Sequence, residues 1–241
     1  MKTKAILVAL FALSILFTSC KKNEDVTPSN DVTTVNKSIS GYSQLNVSDP
    51  FKVYVTFSDT EEKIQIEANS NIQQYISCEK KNNQLVIYLD DNVNISGTTT
   101  LNVYITTKQL DAFYAAGATT IQLQNELNGG NVSVELTGAS TFNGTMNIDK
   151  LNSKLTGASN LNLTGTSASI ELDATGASNL SDYGFETNSL TCDLEGASNV
   201  YLTIQQTLDV KASGGSNVYY KGNGVVSSQD LSGGSTIQKM D

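Results

Sequence analysis

The feature that most constrains this chain is a repeat. Gly117-Ala118-Thr119-Thr120-Ile121, Gly138-Ala139-Ser140-Thr141-Phe142, Gly157-Ala158-Ser159-Asn160-Leu161 and Gly176-Ala177-Ser178-Asn179-Leu180 share one pattern. Gly196-Ala197-Ser198-Asn199-Val200, Gly214-Gly215-Ser216-Asn217-Val218 and Gly233-Gly234-Ser235-Thr236-Ile237 continue it. Successive glycines stand 21, 19, 19, 20, 18 and 19 residues apart. A period of this length marks a solenoid, whose repeats bury apolar surface only against one another.

The residues before each glycine alternate. Val132, Val134 and Leu136 precede Gly138, Ile170, Leu172 and Ala174 precede Gly176, and Leu190, Cys192 and Leu194 precede Gly196. Positions between them are mostly polar, and period two with one apolar face marks a half-buried strand. A second apolar pair follows each corner, as in Leu161 with Leu163, so one turn holds two or three short strands and no helix. Stacked turns place like residues above like at about 4.8 Å. Glycine lets each corner bend sharply, with Ala and Ser where turns press closest. Asn160, Asn179, Asn199 and Asn217 are expected to form an inward structural ladder of amides bonded along the axis. The functional alternative is a polar binding stripe of Ser and Asn.

Ahead of the repeat, residues 35–115 are strand-like without the corner motif. Phe51 to Phe57, Lys63 to Glu67, Leu85 to Leu89 and Leu101 to Ile105 alternate between turn signals. They read as irregular β-rich turns that lead into the regular solenoid of 116–241 and cap its N-terminal end, or as a separate small β-domain. An open stack end would be an unpaired sheet edge.

The chain opens on Met1-Lys2-Thr3-Lys4, and Ala5 to Phe17 is apolar apart from Ser14. This is the form of a secretory signal over 1–19, too short to remain as a membrane helix. Phe17-Thr18-Ser19-Cys20 resembles a lipobox, with Phe17 where leucine is usual, and implies a lipid on Cys20 that holds the protein to a membrane. The alternative is an ordinary signal peptide with an incidental cysteine. Residues 20–34 are polar and aperiodic and read as a lipidated flexible tether. Their Lys-then-acidic order resembles the signal that sends lipoproteins of the Bacteroidota to the cell surface, although Asn23 interrupts it. The expected location is the outer membrane, facing the periplasm or the outside.

Lipobox, irregular β-rich part and Gly-Ala-Ser-Asn turns together resemble the head GIN domain family of auto-transporter adhesins, over roughly residues 35–239. The resemblance implies an all-β fold, a right-handed parallel β-helix (β-solenoid), on a bacterial envelope protein. It carries over no catalytic residues. Parallel crossovers are right-handed in general as well.

Composition narrows the chemistry. The formal charge is −9, every basic residue is a lysine, and His and Trp are missing. Removal of Lys2 and Lys4 with the signal peptide makes the mature chain more acidic still. Nucleic acid and anionic membrane surfaces draw on Lys and Arg, so no nucleic-acid partner is expected. No P-loop, Gly-x-Ser-x-Gly elbow, calcium repeat or Cys/His cluster occurs, and the expectation is no enzyme, no catalytic residue, no cofactor and no metal. Cys192 falls on an inward strand position, so no bridge to Cys78 is expected.

Two rows remain as binding candidates. Tyr183, Tyr201, Tyr219 and Tyr220, with Phe185, crowd the last turns and could stack on sugar rings or meet a protein. Glu135, Glu171, Asp173, Asp193, Glu195 and Asp209 occupy outward strand positions, where they could keep the face solvated, bind calcium or act as paired carboxylates. The leading expectation is a non-enzymatic envelope binding module for a glycan or protein ligand. A polysaccharide hydrolase or lyase, and an envelope scaffold that forms homo-oligomers, are the alternatives.

Overall fold

The computed structural model describes residues 23–241, so the signal peptide and Cys20 lie outside the described residues. Parallel stacked coils form a β-solenoid of about 7 turns, about 19 residues apart. Among the described residues there is no α-helix, and Gln73–Tyr75 form a single 3-10 turn.

The alternation read from the sequence becomes a set of columns. Leu151, Ile170, Leu190 and Leu208 lie in register on successive coils, as do Leu155, Ala174, Leu194 and Ala212. All eight are buried, and one continuous core runs the length of the stack. Phe51, Phe113, Phe142 and Phe185 are its largest fully buried side chains.

The corners are built by two residues of the motif. Gly176 sits at φ +88, and a Cβ there would lie 2.4 Å from the carbonyl oxygen of Gly157 on the coil below. Neither the backbone angle nor the space admits a side chain. The serine two positions on turns inward. Ser140, Ser159, Ser178 and Ser198 are fully buried, and each hydroxyl donates to the carbonyl three residues earlier. The hydroxyl therefore closes the corner and is itself satisfied. The alanines of the motif are exposed, contrary to the expectation that they fill the tight contact.

The N-terminal part holds coils as well, but not in chain order. Gln44–Val47 and Lys52–Phe57 lie directly beneath Ala112–Ala115 and Thr120–Leu123. Beneath them in turn lie Gln84–Leu89 and Leu101–Thr107. The chain thus lays its first coil, passes below it to lay the outermost one, and climbs back past the first to continue. Antiparallel strands close this end: Lys63–Asn69 on Leu101–Thr107, Val32–Lys37 on Lys63–Asn69, and Ile76–Lys81 on Gln84–Leu89.

The flexible tether expected over 20–34 is corrected over its described part. Glu24–Val26 pairs in parallel with Val93–Ile95, and Val32–Lys37 pairs as above. The link between them is pinned by side-chain amides: Asn69 donates to the Ser29 carbonyl and Asn71 to that of Thr27, at 2.7 and 2.8 Å. The segment is held mostly by hydrogen bonds, with Val26 alone of its strand packed against the core, so a search for apolar periodicity passes over it.

Candidate functional site

Two outward faces carry the residues of interest. The first follows the corners. Along its outer side Asn160, Asn179, Asn199 and Asn217 stand in register, each amide donating to the side-chain oxygen of the one before at 3.0–3.1 Å. Thr236 donates to Asn217 and ends the series. The row is half-buried on the outer side, not inward, because the adjacent serine takes the inward place. Asn199 and Asn217 spend their second N–H on the carbonyls of Ala197 and Gly215. An amide has two N–H donors, so these two have none left for a ligand.

Two residues further on runs a second outward row: Tyr104, Tyr54, Gln122, Asn143, Asn162, Ser181, Tyr201 and Tyr219. Tyr201 and Tyr219 stack with centroids 5.0 Å apart and 14° between planes, and Tyr54 and Tyr104 do the same at 5.1 Å and 13°. Tyr183 meets Tyr201 edge-on, and the Lys221 ammonium lies 5.2 Å from the Tyr183 ring. At such separations nearly parallel rings overlap, so each pair covers part of its own stacking surface. Tyr220 does not join them. It alternates inward and is buried against the core, as is Phe185. The pair Tyr54 and Tyr104 was missed from the sequence, since the permuted coil order puts residues 50 apart in sequence on adjacent strands.

The second face precedes the corners and is concave. A trough of about 580 Å³ runs along the solenoid axis across six strands. Its floor is the chain at Val134, Ser153, Leu172 and Cys192, whose side chains turn into the core. One wall carries Ser133, Asn152, Glu171, Thr191 and Asp209 in register. The other carries Tyr114, Glu135, Lys154, Asp173, Asp193 and Lys211. Five of the six acidic residues picked out from the sequence line this trough; Glu195 does not.

Within the trough some charges are spent and others are not. Lys211 bridges to Asp193 and Lys150 to Glu171, both at 2.7 Å. The hydrogen bond from Lys211 to Asp193 holds the ammonium above its ordinary range. Lys154 stands in register between Glu135 and Asp173, yet none of the three makes a side-chain hydrogen bond or ion pair among the described residues. Asn152, Thr191 and Asp209 also make no side-chain hydrogen bond to any described residue. Free polar groups that converge on a concavity are what a ligand site needs. The corner face, by contrast, has bonded largely to itself.

Among the described residues no three His, Cys, Asp or Glu side chains converge as a metal site. Cys78 and Cys192 are free thiols. Burial, with Asp193 and Asp209 nearby, pushes the Cys192 thiol up to about 12, which leaves it protonated and unreactive.

Fold and site together define a parallel β-solenoid that presents a polar trough along one lateral face. The family model described as putative auto-transporter adhesin, head GIN domain, matches residues 41–224, and the chain belongs to that family. A putative adhesin from Bacteroides fragilis NCTC 9343 superposes with a TM-score of 0.82 at 21% identity, covering 89% of this chain and 100% of that one. A putative lipid binding protein from Parabacteroides distasonis ATCC 8503 gives 0.70 at 16%, covering 90% and 100%. A putative adhesin from Parabacteroides merdae ATCC 43184 gives 0.67 at 15%, with the same coverage. At these identities the likeness speaks to the fold alone. No curated protein matches the chain.

Proposed function

We propose that the protein is a non-enzymatic adhesin-type module of the cell envelope that binds an extended partner along the axial trough. The observation that carries this reading is the coincidence, on one face, of a concavity of about 580 Å³ with polar side chains that have no partner among the described residues. Family membership supports an envelope setting. Lipid on Cys20, attachment to the outer membrane and a periplasmic or surface-facing position complete the proposal; among the described residues no helix is long and apolar enough to cross a membrane.

Binding is favoured over cleavage by the state of the carboxylates. Glu171 and Asp193 are each engaged by a lysine at 2.7 Å, which takes them up in ion pairs along the wall, whereas hydrolysis calls for two carboxyls held facing one another across the scissile bond. The test is a screen of the full chain against arrayed glycans and envelope proteins, with two double variants beside the natural protein. Lys154→Ala/Asp173→Ala should abolish capture, while Tyr201→Ala/Tyr219→Ala should leave it. The opposite pattern would move the site to the corner face, and turnover of the captured ligand would make the protein an enzyme.

A further inference from the structure

We infer that the trough takes an uncharged, linear polysaccharide laid along the solenoid axis, with about one sugar unit over each strand it crosses. The inference rests on the trough being the binding site, and it follows from spacing first. Each coil adds one residue to each wall, so a ligand along the axis meets equivalent positions about every 4.8 Å. An extended peptide advances about 3.3–3.4 Å per residue and drifts out of step within a few residues. A β-1,4-linked sugar chain advances per unit by only slightly more than the strand spacing, so it drifts far less over the same strands than a peptide does.

The chemistry of the walls points the same way. A sugar hydroxyl donates and accepts at once, so a chain of hydroxyls needs acceptors and donors in alternation. The trough offers Glu135, Asp173 and Asp209 as acceptors, Lys154 as a donor, and Asn152 as both, all without side-chain hydrogen-bond partners among the described residues. Tyr114, half-buried at the N-terminal end of the wall, adds an aromatic surface against which a sugar ring can rest. The lining carries five carboxylates against Lys154 and Lys211, so a uronate chain would meet like charge along its length. A neutral chain meets no such opposition.

The experiment is calorimetric titration of the full chain with β-1,4-linked glucose, mannose and xylose oligomers from dimer to hexamer, with oligogalacturonate as the charged comparison. One neutral series should bind more tightly with each added unit, gaining about tenfold or more from dimer to hexamer. Oligogalacturonate should bind at least about tenfold more weakly. Lys154→Ala and Asp173→Ala should each lose about tenfold, with Tyr201→Ala unchanged as the control on the other face. Affinity that ignores chain length, or oligogalacturonate that binds as well as the neutral series, overturns the inference. Silence from all three neutral series, with a displayed peptide captured by the natural protein and lost in Asp173→Ala, overturns the sugar and keeps the trough. Trough substitutions that alter no captured ligand overturn both.

Discussion

A single corner residue decides whether one coil can sit on the next. At Gly176 the left-handed backbone and the carbonyl of Gly157 both exclude a Cβ. Gly176→Ala should therefore cost roughly 2–5 kcal/mol, combining backbone strain with overpacking against main chain. Thermal melting should show a midpoint lower by roughly 5–15 °C, and an unchanged midpoint would mean that the corners give way more easily than their contacts imply. These corners were legible in the sequence wherever glycine marks them. The corner at Asp49 was not. There the same turn is made by a non-glycine residue at φ +73, stacked beneath Gly117, with its carboxylate accepting the Leu89 N–H at 2.9 Å. Phe51 then takes the buried place that serine holds elsewhere. Because its carboxylate has the Leu89 N–H of the coil below to bond, Asp49 keeps a side chain here, and the motif vanishes from the sequence while the turn persists.

At the scale of the strand, repetition makes weak contacts count. Asn199 stands mid-ladder and takes part in two amide bonds along the axis, one to Asn179 and one from Asn217. Asn160, at the start, takes part in one. Asn199→Ala should cost about 1–3 kcal/mol and Asn160→Ala about half as much, read from denaturant midpoints. Equal losses would show that the bonds along the axis contribute little beside each amide's bond to its own corner. The strands of residues 127–239 were readable because their inward residues are apolar and alternate. The segment around Glu24–Val26 was not, because Asn69 and Asn71, which pin the chain just after it, lie 40 and 44 residues from the carbonyls they bind and act through amides. The charged trough shows both limits together. Its acidic residues could be picked out one by one, but the concavity they share, and the partnerless Lys154 among them, exist only once the coils are stacked.

Over the whole molecule, stability should be graded along the axis. Asn160–Gly176 has a paired coil on both sides, whereas Val225–Leu231 and Thr236–Lys239 each pair on one side only. In a stack whose repeats touch only neighbours, opening begins where a neighbour is missing. Native-state hydrogen exchange should find amides of Val225–Lys239 exchanging fastest, those of the middle coils slowest, and the N-terminal end held by its antiparallel strands. Uniform protection from end to end would mean that the solenoid opens as one unit.

The permuted order of the first coils bears on how such a chain could be delivered. A solenoid laid strictly in sequence can wind up as it emerges, each new coil settling on a finished one. Here Gln44–Val47 and Lys52–Phe57 are made first, yet both faces of their coil are clad by later chain, Gln84–Thr107 below and Ala112–Leu123 above. Threaded out with its N-terminus leading, the chain must present Leu45, Val47, Val53 and Val55 bare until residue 123 has followed. For that interval it is a client for whatever holds nascent chains apart, and the remaining coils can be added one by one only after this knot of early and late strands has been tied.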